Sequence, residues 1–310
     1  TTDLIVDAGS LADLDQDGHD YAVTIRVTMQ ALEATAGTRL NIHAGAVADA
    51  DGRALAVVGE SGSGKTTTIR ALAQRLGYLS DETVSLTSDL VVHPHPKPLS
   101  VITDPASPGL KQSVSPDDAG LQAPPDHAML RRVVLLRRGD DSSGLVPIST
   151  PAAIAEIVPQ TSSLVLLDSP LLTLSRAIDR CGGAFALHYV EIDDHLDELI
   201  QLLSDEVDEP DPAVHHPPVE LSHPSPGEWS RSTWLDAVQY DDELVVMVGD
   251  TAVLLAGLGT TIWLRLDRPA TTAELVAEAE AVHGPHPDAI ALIETAMADL
   301  AVQGLVSLST

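Results

Sequence analysis

Eight consecutive residues, Gly59-Glu60-Ser61-Gly62-Ser63-Gly64-Lys65-Thr66, follow the pattern Gly-x-x-x-x-Gly-Lys-Ser/Thr. Glycines at this spacing let backbone N–H groups converge on phosphate oxygens, and a helix starting at the lysine adds its dipole to them. In that pattern Lys65 reaches the outer phosphates of a nucleotide, and the Thr66 hydroxyl ligates magnesium. The expected cofactor-binding set is Gly59, Ser61, Gly62, Ser63, Gly64, Lys65, Thr66 and Thr67, with ATP or GTP and Mg2+ as the ligands. The acidic pair Asp81-Glu82 follows 16 residues after Lys65, a distance that fits one helix and a turn. The pair can therefore return to the phosphates, one carboxylate for metal and one as proton acceptor.

These residues need a frame. Residues 54–58 read as a short buried strand, and 66–76 have apolar residues at helical spacing with Gly77 as C-cap. Further strands are expected at 83–86, 133–136, 163–167 and 184–190, and helices at 151–157 and 170–180. Arg131, Arg132, Arg137 and Arg138 bracket one of those strands, and Arg132 is taken as a candidate substrate contact that would stabilise transferring phosphate. Residues 103–127 are rich in proline and read as a long loop over the site. A second proline-rich stretch, 204–235, reads as a linker between an α/β domain at 1–203 and a smaller domain at 236–310. In the smaller domain, strands near 237–240, 244–248 and 252–256 precede helices near 260–266, 272–283 and 288–303.

The run Ile42-His43-Ala44-Gly45-Ala46, then Asp51-Gly52-Arg53, the glycine loop, Gly77-Tyr78-Leu79-Ser80-Asp81-Glu82 and His95-Pro96-Lys97-Pro98-Leu99-Ser100 resembles the HPr kinase-like proteins. More narrowly, it is similar to their relatives found with ribosomally made peptides, lasso peptide kinases among them. Agreement is closest over residues 40–102 and continues more weakly to about 203. The resemblance implies the fold shared by HPr kinase and phosphoenolpyruvate carboxykinase, a mixed sheet carrying the loop, and phosphorylation of a Ser or Thr hydroxyl on a polypeptide. It implies Asp81, His43 and Lys65 as catalytic residues, Asp81 being the group that accepts the hydroxyl proton. Glu82 stands where many members have a second Asp and joins Thr66 as metal ligand, and Lys97 becomes a phosphate or substrate contact. The segment that lets HPr kinase proper remove phosphate is not found here, so phosphorylase activity is not expected.

After the linker, residues 245–255, Gly259-Thr260-Thr261-Ile262-Trp263, Thr272-Ala273-Glu274-Leu275 and 300–306 resemble the PqqD-like domains that recognise peptide leaders, small α+β units of winged-helix-like order. In that family the leader adds a strand to the third strand of the sheet and packs on the third helix. Val253, Leu254 and Leu255 are the residues so implicated, whereas Ile262, Trp263, Leu266, Leu300 and Leu305 read as core. This segment carries twelve acids against two arginines, which opposes DNA.

The balance of the chain sets outer bounds. It has 310 residues, 44% hydrophobic and 20% charged, with 46 acids against 17 Lys and Arg and a net charge of -29. That charge argues against nucleic acid and against anionic lipid as partners. No apolar run reaches the ~18 residues of a membrane span. The segment TTDLIVDAG lacks the features of a signal peptide, so a cytoplasmic location is expected. Cys181 stands alone and reads as a reduced, small hydrophobe. The joint expectation is an ATP-dependent kinase acting on a precursor peptide held through its leader, with a homo-oligomer compatible. A nucleotide-dependent sensor, or a small-molecule kinase with a structural C-terminal domain, remain as alternatives.

Overall fold

The computed structural model describes residues 16–95, 97–102, 111–139, 143–208 and 210–309. In chain order the elements begin with α1 (Gln16–Thr35), β1 (Leu40–Ile42), β2 (Ala44–Ala48), β3 (Arg53–Val58), α2 (Lys65–Leu72), β4 (Gly77–Ser80), β5 (Val84–Leu86), β6 (Val92–His93), β7 (Leu99–Ile102) and β8 (Lys111–Val114). There follow β9 (Met129–Arg138), β10 (Gly144–Ile148), α3 (Thr150–Ile157), β11 (Thr161–Ser162), α4 (Pro170–Asp179), β12 (Ala184–Tyr189) and α5 (Leu196–Ser204). The chain ends with β13 (Val214–His215), β14 (Trp229–Arg231), β15 (Asp236–Tyr240), β16 (Glu243–Val248), β17 (Thr251–Ala256), α6 (Leu258–Arg265), α7 (Thr272–His283), α8 (Ala289–Val302) and β18 (Val306–Leu308).

Two compact units result. The first comprises the described residues within 1–149, 160–167 and 177–210 and centres on a six-stranded mixed sheet of order β10-β12-β9-β3-β2-β4. Strands β3, β9 and β12 run parallel to one another, β10 runs antiparallel to β12, β2 antiparallel to β3, and β4 antiparallel to β2. Residues 54–58 are buried without alternation, because both faces of a central parallel strand are covered. One face packs Val47, Leu55, Val57 and Val134 against Ile69 and Leu72 of α2 and Leu199 and Leu203 of α5. The fold is mixed α/β, as the order of the expected elements implied.

A smaller sheet, β11-β1-β5-β6, shares two chain crossings with the large one. Only His43 separates β1 from β2, and only Asp81, Glu82 and Thr83 separate β4 from β5. Ile42 pairs with Val84 on one side of these crossings and Ala46 with Ser80 on the other, so the two chains pass from sheet to sheet side by side. Between the partners of Ala46 and Val47 the register shifts, which leaves Leu79 as an extra residue on β4. Such a bulge kinks a strand and re-aims its side chains.

Three local expectations differ from the structure. Helix α2 stops at Leu72, and Gly77 is the first residue of β4 and no C-cap. A glycine is needed there for another reason: a Cβ would meet the Ala123 carbonyl oxygen at 2.8 Å and Pro125 Cδ at 2.9 Å. The expected strand at 163–167 is a short 3-10 turn, Leu164–Leu166, because Ser163 adopts φ 60 and turns the chain out of β11. The proline-rich 103–127 stretch is no simple loop: β8 pairs with β7, and Gln122 hydrogen-bonds Ala73 and Tyr78 through its backbone. Its residues 103–110 lie outside the described residues.

The second unit comprises residues 150–159, 168–176 and 211–310. Its sheet runs β13-β15-β16-β17, with α6, α7 and α8 covering one face through Leu244, Val246, Leu255, Trp263, Leu275, Ile293 and Met297. Val238, Val245 and Met247 are buried too, and α3 packs on β15, β16 and β17. Helix α3 was expected in the domain 1–203, but it groups here. The Asp236 carboxylate draws in the start of α4 as well, because Oδ2 accepts from the N–H groups of Leu171 and Leu172 at 2.9 and 3.1 Å. Nor is 204–235 a plain linker: β13 pairs with β15, β14 pairs with β18, and Trp234 is buried. Its prolines fall outside these two short strands, where no ladder N–H is required.

Candidate functional site

Strand register brings the chemistry together. Ala44 pairs with Val58, so His43 comes level with Gly59, the first residue of the glycine loop. Helix α2 lies close on β2, since a Cβ at Gly45 would press into Ile69 Cδ1 at 2.8 Å. Gly64 takes φ 93 and caps α2, which has no side-chain cap, so the first N–H groups of the helix stay available to an anion. Behind the loop, Tyr189 at the end of β12 donates its hydroxyl proton to the Ser63 carbonyl. Sequence reading missed this brace, whose only signal is an aromatic residue ending a parallel strand beside the loop strand.

Lys65 is buried, and its ammonium donates to the carbonyls of Gly59 (2.5 Å) and Glu60 (3.2 Å), spanning the loop. Burial lowers its pKa, and the charge of Glu82 partly offsets that shift. The Ser63 hydroxyl is buried with no partner, facing Gly59. Ser61 and Gly62 are exposed at the loop tip, Thr66 is half-buried, and Thr67 lies on the exposed side of α2.

Across from the loop, Asp81 is almost wholly buried. Burial raises its pKa, against the opposing effects of Lys97 and of the Tyr78 hydrogen bond. A carboxylate so placed is a stronger base than a solvated one. Lys97 Nζ lies 2.6 Å from Glu82 Oε2 and 3.7 Å from Asp81 Oδ1. Burial disfavours the charge on Glu82, but the Lys97 hydrogen bond and the charges of Lys97, His43 and His95 outweigh it and hold the pKa below the usual range. The segment bearing Lys97 is tied beside β4, where the His95 N–H donates to the Leu79 carbonyl at 3.0 Å. Desolvation, then the charge of Lys65, lowers the pKa of His43, and desolvation, then Lys97, lowers that of His95.

His43, Lys65, Asp81, Glu82 and Lys97 thus form one charged cluster. Arg132 does not join it. It is buried, and donates to the carbonyls of Leu202 (3.0 Å), Cys181 (2.9 Å), Asp205 (3.0 Å) and Glu206 (2.7 Å), where it closes the C-terminal end of α5. A guanidinium with those partners is a helix cap, and the expected substrate contact is corrected accordingly. Val253, Leu254 and Leu255 belong to the second unit, on β17 at one end of its sheet among the described residues. Leu255 is core, Val253 packs against it, and Leu254 is 37% exposed.

Among the described residues no three His, Cys, Asp or Glu side chains converge to hold a metal by themselves. Thr66 and Glu82 offer hard oxygen donors, which suit a magnesium ion that takes its other ligands from phosphates and water. No protein-family description matches the chain, and no curated protein is similar enough to count as a relative.

Proposed function

We propose that the chain is an ATP-dependent kinase that phosphorylates a Ser or Thr hydroxyl of a ribosomally made precursor peptide, with the C-terminal unit holding the peptide by its leader. The observation that carries this reading is the register that sets a buried carboxylate, Asp81, and its lysine partner opposite a glycine loop whose lysine spans the loop mouth. In it, the acceptor oxygen bonds to the γ-phosphorus, the bond from that phosphorus to the bridging oxygen of ADP breaks, and the hydroxyl proton passes to Asp81. Lys65 and the loop N–H groups neutralise the phosphates. Thr66 and Glu82 would hold magnesium, which supplies further charge neutralisation when bound. His43, whose pKa burial and the charge of Lys65 lower, is proposed to orient the acceptor.

The leader is proposed to lie along the outer edge of β17, where Val253, Leu254 and Leu255 sit, and a tether of that kind raises the local concentration of the acceptor. The test is transfer from γ-labelled ATP to a precursor peptide encoded beside the chain's own gene, with and without its leader. Label on the peptide that requires Lys65 supports the kinase reading. Equal efficiency on leaderless peptide removes the recognition role, and no label on either peptide removes the kinase role.

A further inference from the structure

Tyr78 has its ring in the core of the first unit, 1% exposed, among the cluster that holds Val47, Leu55, Ile69, Leu72 and Leu99. Phenylalanine would fill that space equally well, so the hydroxyl calls for its own reason. A buried phenol needs a hydrogen-bond partner. Tyr78 has two, donating to Asp81 Oδ1 at 3.1 Å and to the Lys97 carbonyl at 3.3 Å. Its single proton is shared between them. The bulge at Leu79 lies between Tyr78 and the crossing that carries Asp81.

We propose that Tyr78 is the positioning residue of the reaction: its core-anchored hydroxyl fixes the Asp81 carboxylate by Oδ1 and assigns Oδ2 the acceptor's proton. This rests on the kinase reading above. Tyr78 and Lys97 both address Oδ1, one by a hydrogen bond and the other by charge at 3.7 Å. The rigid ring carries the packing of α2 and the central strands to the carboxylate, so the base has a fixed rotamer before the acceptor arrives. Tyr78 keeps its own proton throughout. When Asp81 receives the acceptor's proton, the phenol can turn wholly to the Lys97 carbonyl, which it already contacts.

The test uses the full chain with Mg·ATP and water in the acceptor place, reading inorganic phosphate release and, by calorimetry, Mg·ATP affinity. Four proteins are compared: wild type, Tyr78→Phe, Asp81→Asn and the double variant, each checked by thermal melting. Tyr78→Phe is expected to lower kcat about 10-fold with affinity changed less than about 2-fold, the scale of one hydrogen bond to a charged group. In the Asp81→Asn background the same change should have no further effect, because the tie acts only through the carboxylate. An unchanged kcat, an equal loss in both backgrounds, or a loss confined to affinity and melting overturns the role of Tyr78 while the kinase reading stands. A wild-type chain that neither binds Mg·ATP nor releases phosphate from it overturns both.

Discussion

Lys97 in the first unit and Arg231 in the second are both buried cations, 9% and 7% exposed, with different partners. Arg231 donates to the carbonyls of Trp263 (2.7 Å) and Leu264 (2.8 Å) in the last turn of α6, and its guanidinium stacks 3.7 Å from the centre of the Trp263 ring. Burial pushes its pKa down to about 10, still charged at neutral pH. Lys97 faces two carboxylates on a chain crossing. Backbone carbonyls of a packed helix cannot turn away, so Arg231 and Arg132 are fixed parts of the fold. Asp81 is held by Tyr78, but the Glu82 side chain is 42% exposed and can rotate, and a phosphate or metal can replace it, so Lys97 belongs to an exchangeable set. The difference teaches that burial alone does not mark a functional charge; the mobility of its counter-groups does.

The sharpest way to break that contrast is at Lys65. Lys65→Ala should reduce phosphoryl transfer by about 1,000-fold or more, with melting little changed. If melting collapses while transfer persists, Lys65 is a structural cation of the Arg231 kind. Next in size, Asp81→Asn should cost about 100-fold in transfer and retain nucleotide affinity by calorimetry, because an amide cannot accept the proton. Loss of affinity instead would exchange the roles of Asp81 and Glu82.

From the other side, Arg231→Ala should destabilise the chain by about 2–4 kcal/mol in urea titration, because the Trp263 and Leu264 carbonyls lose a charged donor and the Trp263 ring loses its stacked guanidinium. Mg·ATP affinity should not change, and a kinetic effect without a stability effect would sink the structural assignment. The smallest effect concerns pH. His43 and His95 are held below the ordinary value of 6.5, so the folded chain binds fewer protons there than the unfolded one. Their contribution is complete above pH 6.5 and is lost as pH falls through the folded values. Melting should drop by a few °C below pH 6.5, and a His95→Gln variant should show a smaller drop. Equal drops in both proteins would remove His95 from the account.

Much of the frame was readable in the chain. The strand at 54–58, the glycine loop and the start of α2 follow from an apolar run, three glycines and a helical pattern, all of which act within a dozen residues. Three strands and three helices of the second unit, β15 to β17 and α6 to α8, were legible for the same reason, whereas β18, which pairs with β14, was not. Local sequence could not reveal β1, β2 and β4, which are short and defined by their partners. It also misplaced α3, because an apolar helix does not record which sheet it covers.

The site divides likewise. Sequence by itself determined which groups were present: a Gly-x-x-x-x-Gly-Lys-Thr run, Asp81 and Glu82 at helix-and-turn distance, and Lys97 in its proline-flanked segment. Tertiary structure decided that His43 stands level with Gly59, that Lys97 closes on both carboxylates, that Tyr78 and Tyr189 brace Asp81 and the loop, and that Arg132 caps a helix. Residue type fixes what a group can donate or accept. Pairing across distant strands, which depends on the burial of whole faces, fixes what it meets.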